Sequence, residues 1–389
     1  MTGAISRCSA EPKRREYDIW LDVLRFVAMF FVVVSHAGDT FNMNAPEGDD
    51  FFSLMGQLWG SLARFCVPIF AMMTGYLLLP VRTGWGAFEK KRIGRLMGPF
   101  LFWSVAYCLL PLLVGACGGD LATLKNFIPF TDAPACDWST SLMYLKRIPI
   151  SFCMMTTHLW YVYMLIGLYL VLPLVSPWFE RASGREKLAF LGLWAGSLSL
   201  PYLRVATHGW VLGECAWNDC GLFYSFGGFL GYAVLGSVLG KMRALSWGRT
   251  LAIAVPLFVA GYLVTFFGYR HSMIVTGGDY DKYADTIELY WQFLSPNAAA
   301  MSVAVFLLAK KATRVPAGLA AALKDVNVCG FGIYCAHYAV IGICYNAFLK
   351  RLGIPTAILL PVLALVAYMC TWGVVHALRK VPFLRGKIV

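Results

Sequence analysis

Residues Tyr17 to Asp39 read YDIWLDVLRFVAMFFVVVSHAGD, a run apolar enough to cross a bilayer that nevertheless carries Asp22, Arg25 and His36. Ionisable groups in a hydrocarbon span are costly, so each is a functional candidate by default. Arg25 and His36 are eleven positions apart. At about 100° per residue they are separated by roughly 1,100°, within about 20° of three full turns, so both leave one helix face about 16 Å apart along the axis. Asp22, three residues before Arg25, is placed to neutralise it as a helical ion pair. The face therefore holds a fixed cation at mid-depth and a proton acceptor near the far surface. That arrangement suits a long, charged substrate held at one point while it reacts at another.

The rest of the chain extends this reading. Among 389 residues, 59% are apolar, 15% aromatic and only 14% charged, with a mean hydropathy of +0.64. A soluble domain carries about a quarter charged residues. The composition indicates an all-α, polytopic membrane helix bundle. The polar, basic first fifteen residues precede a run too long and too charged for a signal peptide, which predicts a retained first span. Apolar segments of spanning length, about 17 to 25 residues, fall near 17–38, 58–80, 96–117, 158–178, 188–205, 222–241, 249–268, 290–309, 328–349 and 355–377. Ten spans put both termini on one side. With the amino terminus in the cytoplasm, the inner segments hold 23 Lys and Arg and the outer loops 8, so the positive-inside rule places both termini in the cytoplasm. The expected organisation is a basic tail (1–15), a transmembrane domain (16–378) and a second basic tail (379–389). The net charge of +12 then describes the inner face and requires no nucleic acid. The longest outer loop, Gly118 to Thr157, has room for an interfacial helix around Ser141 to Ile148 and reads as a lid or vestibule wall. Twelve cysteines show no metal-binding spacing, and Cys215 with Cys220 is the one conceivable bridge.

Several stretches carry candidate chemistry. RFCVPIFAMMTGYLL begins at Arg64 near the expected outer end of the second span. Pro68 and Gly75 loosen its backbone, so it either lines a cavity or packs closely on a neighbour. Arg92 and Arg95 in EKKRIGRLMGPF share a helix face at the inner mouth of the third span, as a positive-inside anchor or as a fork for a nucleotide phosphate. THLWYVYMLIGLYL opens the fourth span with His158, at the depth of His36. Trp160 and Tyr161 beside it suit an interfacial belt or a substrate surface. His337 in FGIYCAHY is a buried histidine donating to a neighbouring helix or a contact for substrate. There is no HExxH, phosphate loop or GxSxG elbow, which argues against zinc or Ser-triad hydrolysis.

Together these stretches resemble the family-3 membrane acyltransferases, bacterial enzymes that acylate surface glycans and related acceptors. The matching elements are Arg25-x10-His36, RFCVPIFAMMTGYLL, KKRIGRLMGPF, HLWYVYMLIGLYL and FGIYCAHY. HLWYVY is similar to the element in short members such as the enterobacterial common antigen O-acetyltransferases. The resemblance implies a stand-alone ten-span enzyme of the bacterial inner membrane. It further implies acetyl-CoA or another acyl-CoA as donor and a glycan or glycolipid hydroxyl as acceptor. His36 is catalytic by this resemblance, Arg25 supports it or the donor, and Arg64, Arg92 and Arg95 match basic positions. The combined expectation docks the CoA nucleotide on Arg92 and Arg95 and threads the pantetheine arm past Arg25. His36 then acts as general base, or carries the acyl group as an acyl-histidine, and His158 or a nearby backbone N–H stabilises the oxyanion. Trp160, Tyr161 and His337 are expected around the acceptor. The rival expectation is a transporter or flippase for a lipid-linked glycan, using the same cavity without chemistry of its own.

Overall fold

The computed structural model describes residues 18–43, 50–209, 211–219, 221–382 and 384. Most of the two expected basic tails, and Cys220 with its conceivable bridge, lie outside these residues. The described chain is helical throughout, with only an isolated bridge between Cys215 and Asn218.

Helix α1 (Ile19–Met43) is unbroken. The second span consists of α2 (Asp50–Leu62) and α3 (Cys66–Leu78), interrupted at 63–65. Next, α4 (Trp85–Cys108) bends by 40° into α5 (Leu110–Ala116). The long outer loop folds into α6 (Leu121–Phe127) and α7 (Trp138–Arg147). Each begins where an aspartate accepts an otherwise unpaired N–H, Asp120 from Thr123 at 2.9 Å and Asp137 from Thr140 at 2.8 Å. A 3-10 turn over Met154–Leu159 leads into α8 (Trp160–Arg181). The Ser183–Glu186 capping box starts α9 (Gly184–Ser197), which leads to α10 (Leu200–Ala206). Then come α11 (Leu230–Lys241) and α12 (Trp247–Thr276), the latter stopped by Gly277 at φ 63°. Past α13 (Tyr280–Ile287), the Ser295 side chain and Pro296 begin α14 (Pro296–Ala309). The chain closes with α15 (Ala317–Val328), α16 (Gly330–Ala347) and α17 (Thr356–Lys380).

Seven helices among the described residues are long and apolar enough to cross a membrane, and the bent α4–α5 pair makes an eighth. Short apolar helices α11 and α14, of 12 and 14 residues, occupy the sixth and eighth expected positions. At 1.5 Å per residue they reach only about 18 and 21 Å, short of a hydrocarbon core of about 30 Å. Protein groups complete the end of α11. The Lys310 ammonium donates to the carbonyls of Leu239, Gly240 and Met242 at 2.6, 3.2 and 2.7 Å, satisfying acceptors that a helix terminus leaves open. The second span starts at Asp50 rather than near 58, which moves Arg64 from the expected outer end to the middle.

Helix α1 is the axis of the bundle, touching α2, α3, α14, α15, α16 and α17. Its Leu24 and Ala28 belong to one apolar core with α3, α8, α11 and α14, and its Met29 and Val33 to another with α2, α16 and α17. Residues adjacent in sequence thus bury into opposite halves, which fixes the rotation of the helix. Helices α3 and α11 approach to backbone contact. A Cβ on Gly75 would lie 1.8 Å from the Ala233 carbonyl oxygen, and one on Gly236 would lie 2.1 Å from that of Met72. Such small-residue crossings replace the hydrophobic effect where the solvent is lipid. Helix α12, by contrast, exposes Leu251, Val255, Val259, Leu263 and Phe267, an apolar outer face suited to acyl chains.

Candidate active site

A cavity of about 1210 Å³ runs along α1. Arg25, Met29, Val32, His36 and Asp39 all line it, at the three- and four-residue spacing that one helix face requires. The expected common face of Arg25 and His36 is therefore present. Leu77, Leu96 and Asn327 also line it, as do Lys125, Asp132, Tyr280 and Glu288. The loop between α5 and α8 supplies Lys125, Pro129, Phe130, Thr131 and Asp132 to the lining.

Arg25 Nη1 is 3.1 Å from Asp22 Oδ1, the ion pair expected from their spacing. His36 Nδ1 lies 2.8 Å from Asp39 Oδ2. A carboxylate accepts only, so Nδ1 carries the proton and Nε2 keeps its lone pair. The aspartate thus fixes the tautomer and leaves Nε2 as an acceptor. Its signal in the sequence was its position three residues on, the spacing that places two side chains together on a helix.

Arg64 sits at the break between α2 and α3, where the Gly60 carbonyl, which also accepts from the Ala63 N–H at 3.2 Å, becomes its partner. Nε donates to Gly60 O at 3.1 Å and Nη2 to the Ser35 hydroxyl, next to His36. The guanidinium lies 4.4 Å from the Trp291 ring centre and 5.2 Å from that of Phe293. Trp291 in turn donates to Ser61 at 3.0 Å. Among the described residues no carboxylate lies within salt-bridge distance of Arg64, so its charge is held by neutral groups and faces the cavity. Burial pushes the Glu288 carboxyl above its ordinary range, Arg64 opposes that shift, and Asp39 adds to it.

His158 is brought beside His36, with ring centres 6.4 Å apart. Its Nε2 lies 3.0 Å from the Cys335 carbonyl, and the Tyr334 hydroxyl donates to the His158 carbonyl. Because a carbonyl only accepts, Nε2 carries the proton and Nδ1 is an acceptor. This reverses the expected role: a neutral His158 in this tautomer has no N–H left for an oxyanion. His337 is 5.1 Å from His36, ring centre to ring centre. It donates within its own helix, to Tyr334 O at 2.7 Å, rather than to a neighbouring one. Trp160 and Tyr161 line the cavity instead of forming a belt. Trp160 stacks on Phe293, with centres 5.9 Å apart and planes at 20°.

Arg92 and Arg95 are not among the residues that line the cavity. Arg92 packs on Phe88 at 5.9 Å, and Arg95 is exposed. Sequence reasoning also passed over Trp291, Phe293 and Glu288. Trp291 reaches Ser61 across 230 positions, a contact that no local pattern encodes. The family model described as an acyltransferase domain matches residues 18–376. No curated protein and no solved structure matches the chain.

Proposed function

From the premise that the chain belongs to acyltransferase family 3 and is a multi-pass membrane acyltransferase, we propose that it moves an acetyl group from cytoplasmic acetyl-CoA to a hydroxyl of a glycan or glycolipid. The excess of basic residues on one side supports an orientation with both termini in the cytoplasm, in a bacterial inner membrane. The observation that carries the reading is that Arg25, the His36–Asp39 pair and Arg64 line one cavity. Its volume of about 1210 Å³ exceeds the roughly 300 to 1,000 Å³ of ordinary ligand sites, which leaves room for a pantetheine arm and an acceptor together.

In this reading the CoA nucleotide rests on the basic surface that includes Arg92 and Arg95, and the arm passes Arg25 toward His36. The acceptor enters past Tyr280 and Glu288, with Trp160 and Tyr161 as apolar surfaces. His36 Nε2 takes the hydroxyl proton as the oxygen attacks the thioester carbonyl, and the negative charge develops facing Arg64. When the carbon–sulfur bond breaks, the departing thiolate recovers the proton from His36. General base catalysis of this kind contributes roughly 10²- to 10⁴-fold. Asp39 stabilises the imidazolium while it exists.

The test is to incubate membranes bearing the wild type and His36→Ala with acetyl-labelled acetyl-CoA and to follow label in the glycan fraction. The alanine variant, inserted at normal levels, is expected to lose at least 10²-fold in rate. Turnover near that of the wild type would remove His36 from the mechanism.

A further inference from the structure

Beside His36 are three buried polar atoms without a hydrogen-bond partner: His158 Nδ1, His337 Nε2 and Tyr338 Oη. Their residues are 1%, 0% and 3% exposed. The rings form one cluster. His158 stacks on Tyr338 with centres 5.0 Å apart, His158 and His337 are 5.5 Å apart, and Tyr338 is 5.3 Å from His36. An unsatisfied buried polar atom costs about 1 to 3 kcal/mol, so three together call for an occupant.

The protons are assigned by the neighbours. His158 gives its N–H to Cys335 O and His337 gives its N–H to Tyr334 O. Each therefore keeps one buried lone pair without a partner, while the Tyr338 hydroxyl has a proton to give. Two acceptors and one donor leave open one lone pair of a water molecule, which has two protons to give and two to accept. We infer that His158, His337 and Tyr338 hold one buried water against His36, and that this water shares, as a second acceptor beside the substrate oxygen, the Nε2–H that His36 gains until the departing thiolate takes it. The three residues are then positioning residues for the base, a role that rests on His36 acting as proposed. Ring centres 5.1 to 6.4 Å from His36 are compatible with one oxygen bridging hydrogen bonds of about 2.8 Å. Among the described residues no group of three His, Cys, Asp or Glu side chains is placed to hold a metal ion.

Other charges also face His36. Asp39 lies on its own helix, Arg64 reaches it through Ser35, and Lys125, Asp132, Tyr280 and Glu288 line the same cavity. The test therefore removes only the cluster. Carbethoxylation of His36 by diethyl pyrocarbonate, read by peptide mass spectrometry against pH, reports neutral imidazole without any acyl transfer. In His337→Leu the bridging water loses an acceptor, and the profile is expected to move to lower pH. Labelling at pH 6 then quickens by up to about tenfold. His337→Gln, which restores an acceptor oxygen, should return toward the wild type. Tyr338→Phe frees a lone pair for His36 and should not move the profile to lower pH. Should the His337→Leu protein not fold, His158→Leu removes the other acceptor and reads the same way. A profile unchanged in the leucine variant, or shifted equally by leucine, glutamine and phenylalanine, overturns the inference. A failed His36→Ala transfer test would instead overturn the base assignment and leave this profile standing.

Discussion

Asp39→Asn is the sharpest probe of the His36 site, because it keeps the shape of the side chain and removes only its charge and its certainty as an acceptor. The bond it alters is 2.8 Å long, and each side chain is about one-fifth exposed, 21% for His36 and 22% for Asp39. A hydrogen bond to a charged partner is worth about 1.5 to 3 kcal/mol, and partial exposure screens it. About 1 to 2 kcal/mol of imidazolium stabilisation should therefore be lost, which corresponds to a roughly 5- to 30-fold slower chemical step. Asparagine can also turn its amide toward Nδ1, stabilising the tautomer with the proton on Nε2 and disabling the base in that fraction of molecules. The assay is the initial rate of label transfer from acetyl-CoA in inverted membrane vesicles, with KM for acetyl-CoA expected to stay near that of the wild type. Residues acting as one unit are not additive. The double variant Asp39→Asn/His36→Ala should therefore be no slower than His36→Ala alone. A single Asp39→Asn variant within twofold of the wild type, or a double variant slower by the product of both losses, would refute the coupling.

Gly75→Val should destabilise the bundle by about 1 to 3 kcal/mol, because the added carbons meet the Ala233 backbone rather than a movable side chain. Gly94→Ala, which meets nothing within 4 Å, is the control in thermal unfolding of detergent-solubilised protein, and equal melting of the two variants would contradict the α3–α11 crossing. In the outer loop, hydrogen bonds from Thr123 and Thr140 hold the Asp120 and Asp137 carboxyls below their ordinary value of 3.8. Depressed values mean that this stabilisation is present above pH 3.8 and is lost as pH falls through the lowered ones. Amide exchange over 121–147, corrected for intrinsic rates, should be less protected at pH 2 than at pH 6. Equal protection would show that the caps do not hold the loop.

Much of this architecture could be read in one dimension because lipid is an unforgiving solvent. A span must satisfy its own backbone, so length and hydropathy located the long helices, and the helical period put Arg25 and His36 on one wall. The same rule explains what was misplaced. Hydropathy averages over a window, so it could not show that the second span breaks at residues 63–65, where Arg64 donates to Gly60. Nor could it show that α11 and α14 stop short, because their ends are completed by Lys310 and Ser295 rather than by further helix. The roles of the histidines depended on information that no pattern carries. His158 is an acceptor only because the Cys335 carbonyl, 177 positions away, occupies its other nitrogen.

The interruption in the second span also bears on how the protein is made. Arg64 must cross or enter the bilayer as part of an early hairpin, yet Trp291 and Phe293, which cradle its charge, and Ser302, which donates to Phe65 O at 3.4 Å, leave the ribosome more than two hundred residues later. Until then the Arg64 cation sits at membrane depth with only Ser35 and Gly60 for company. Biogenesis therefore includes a waiting period in which this hairpin depends on water or on the insertion machinery. Truncation before residue 291 should strand the nascent chain there.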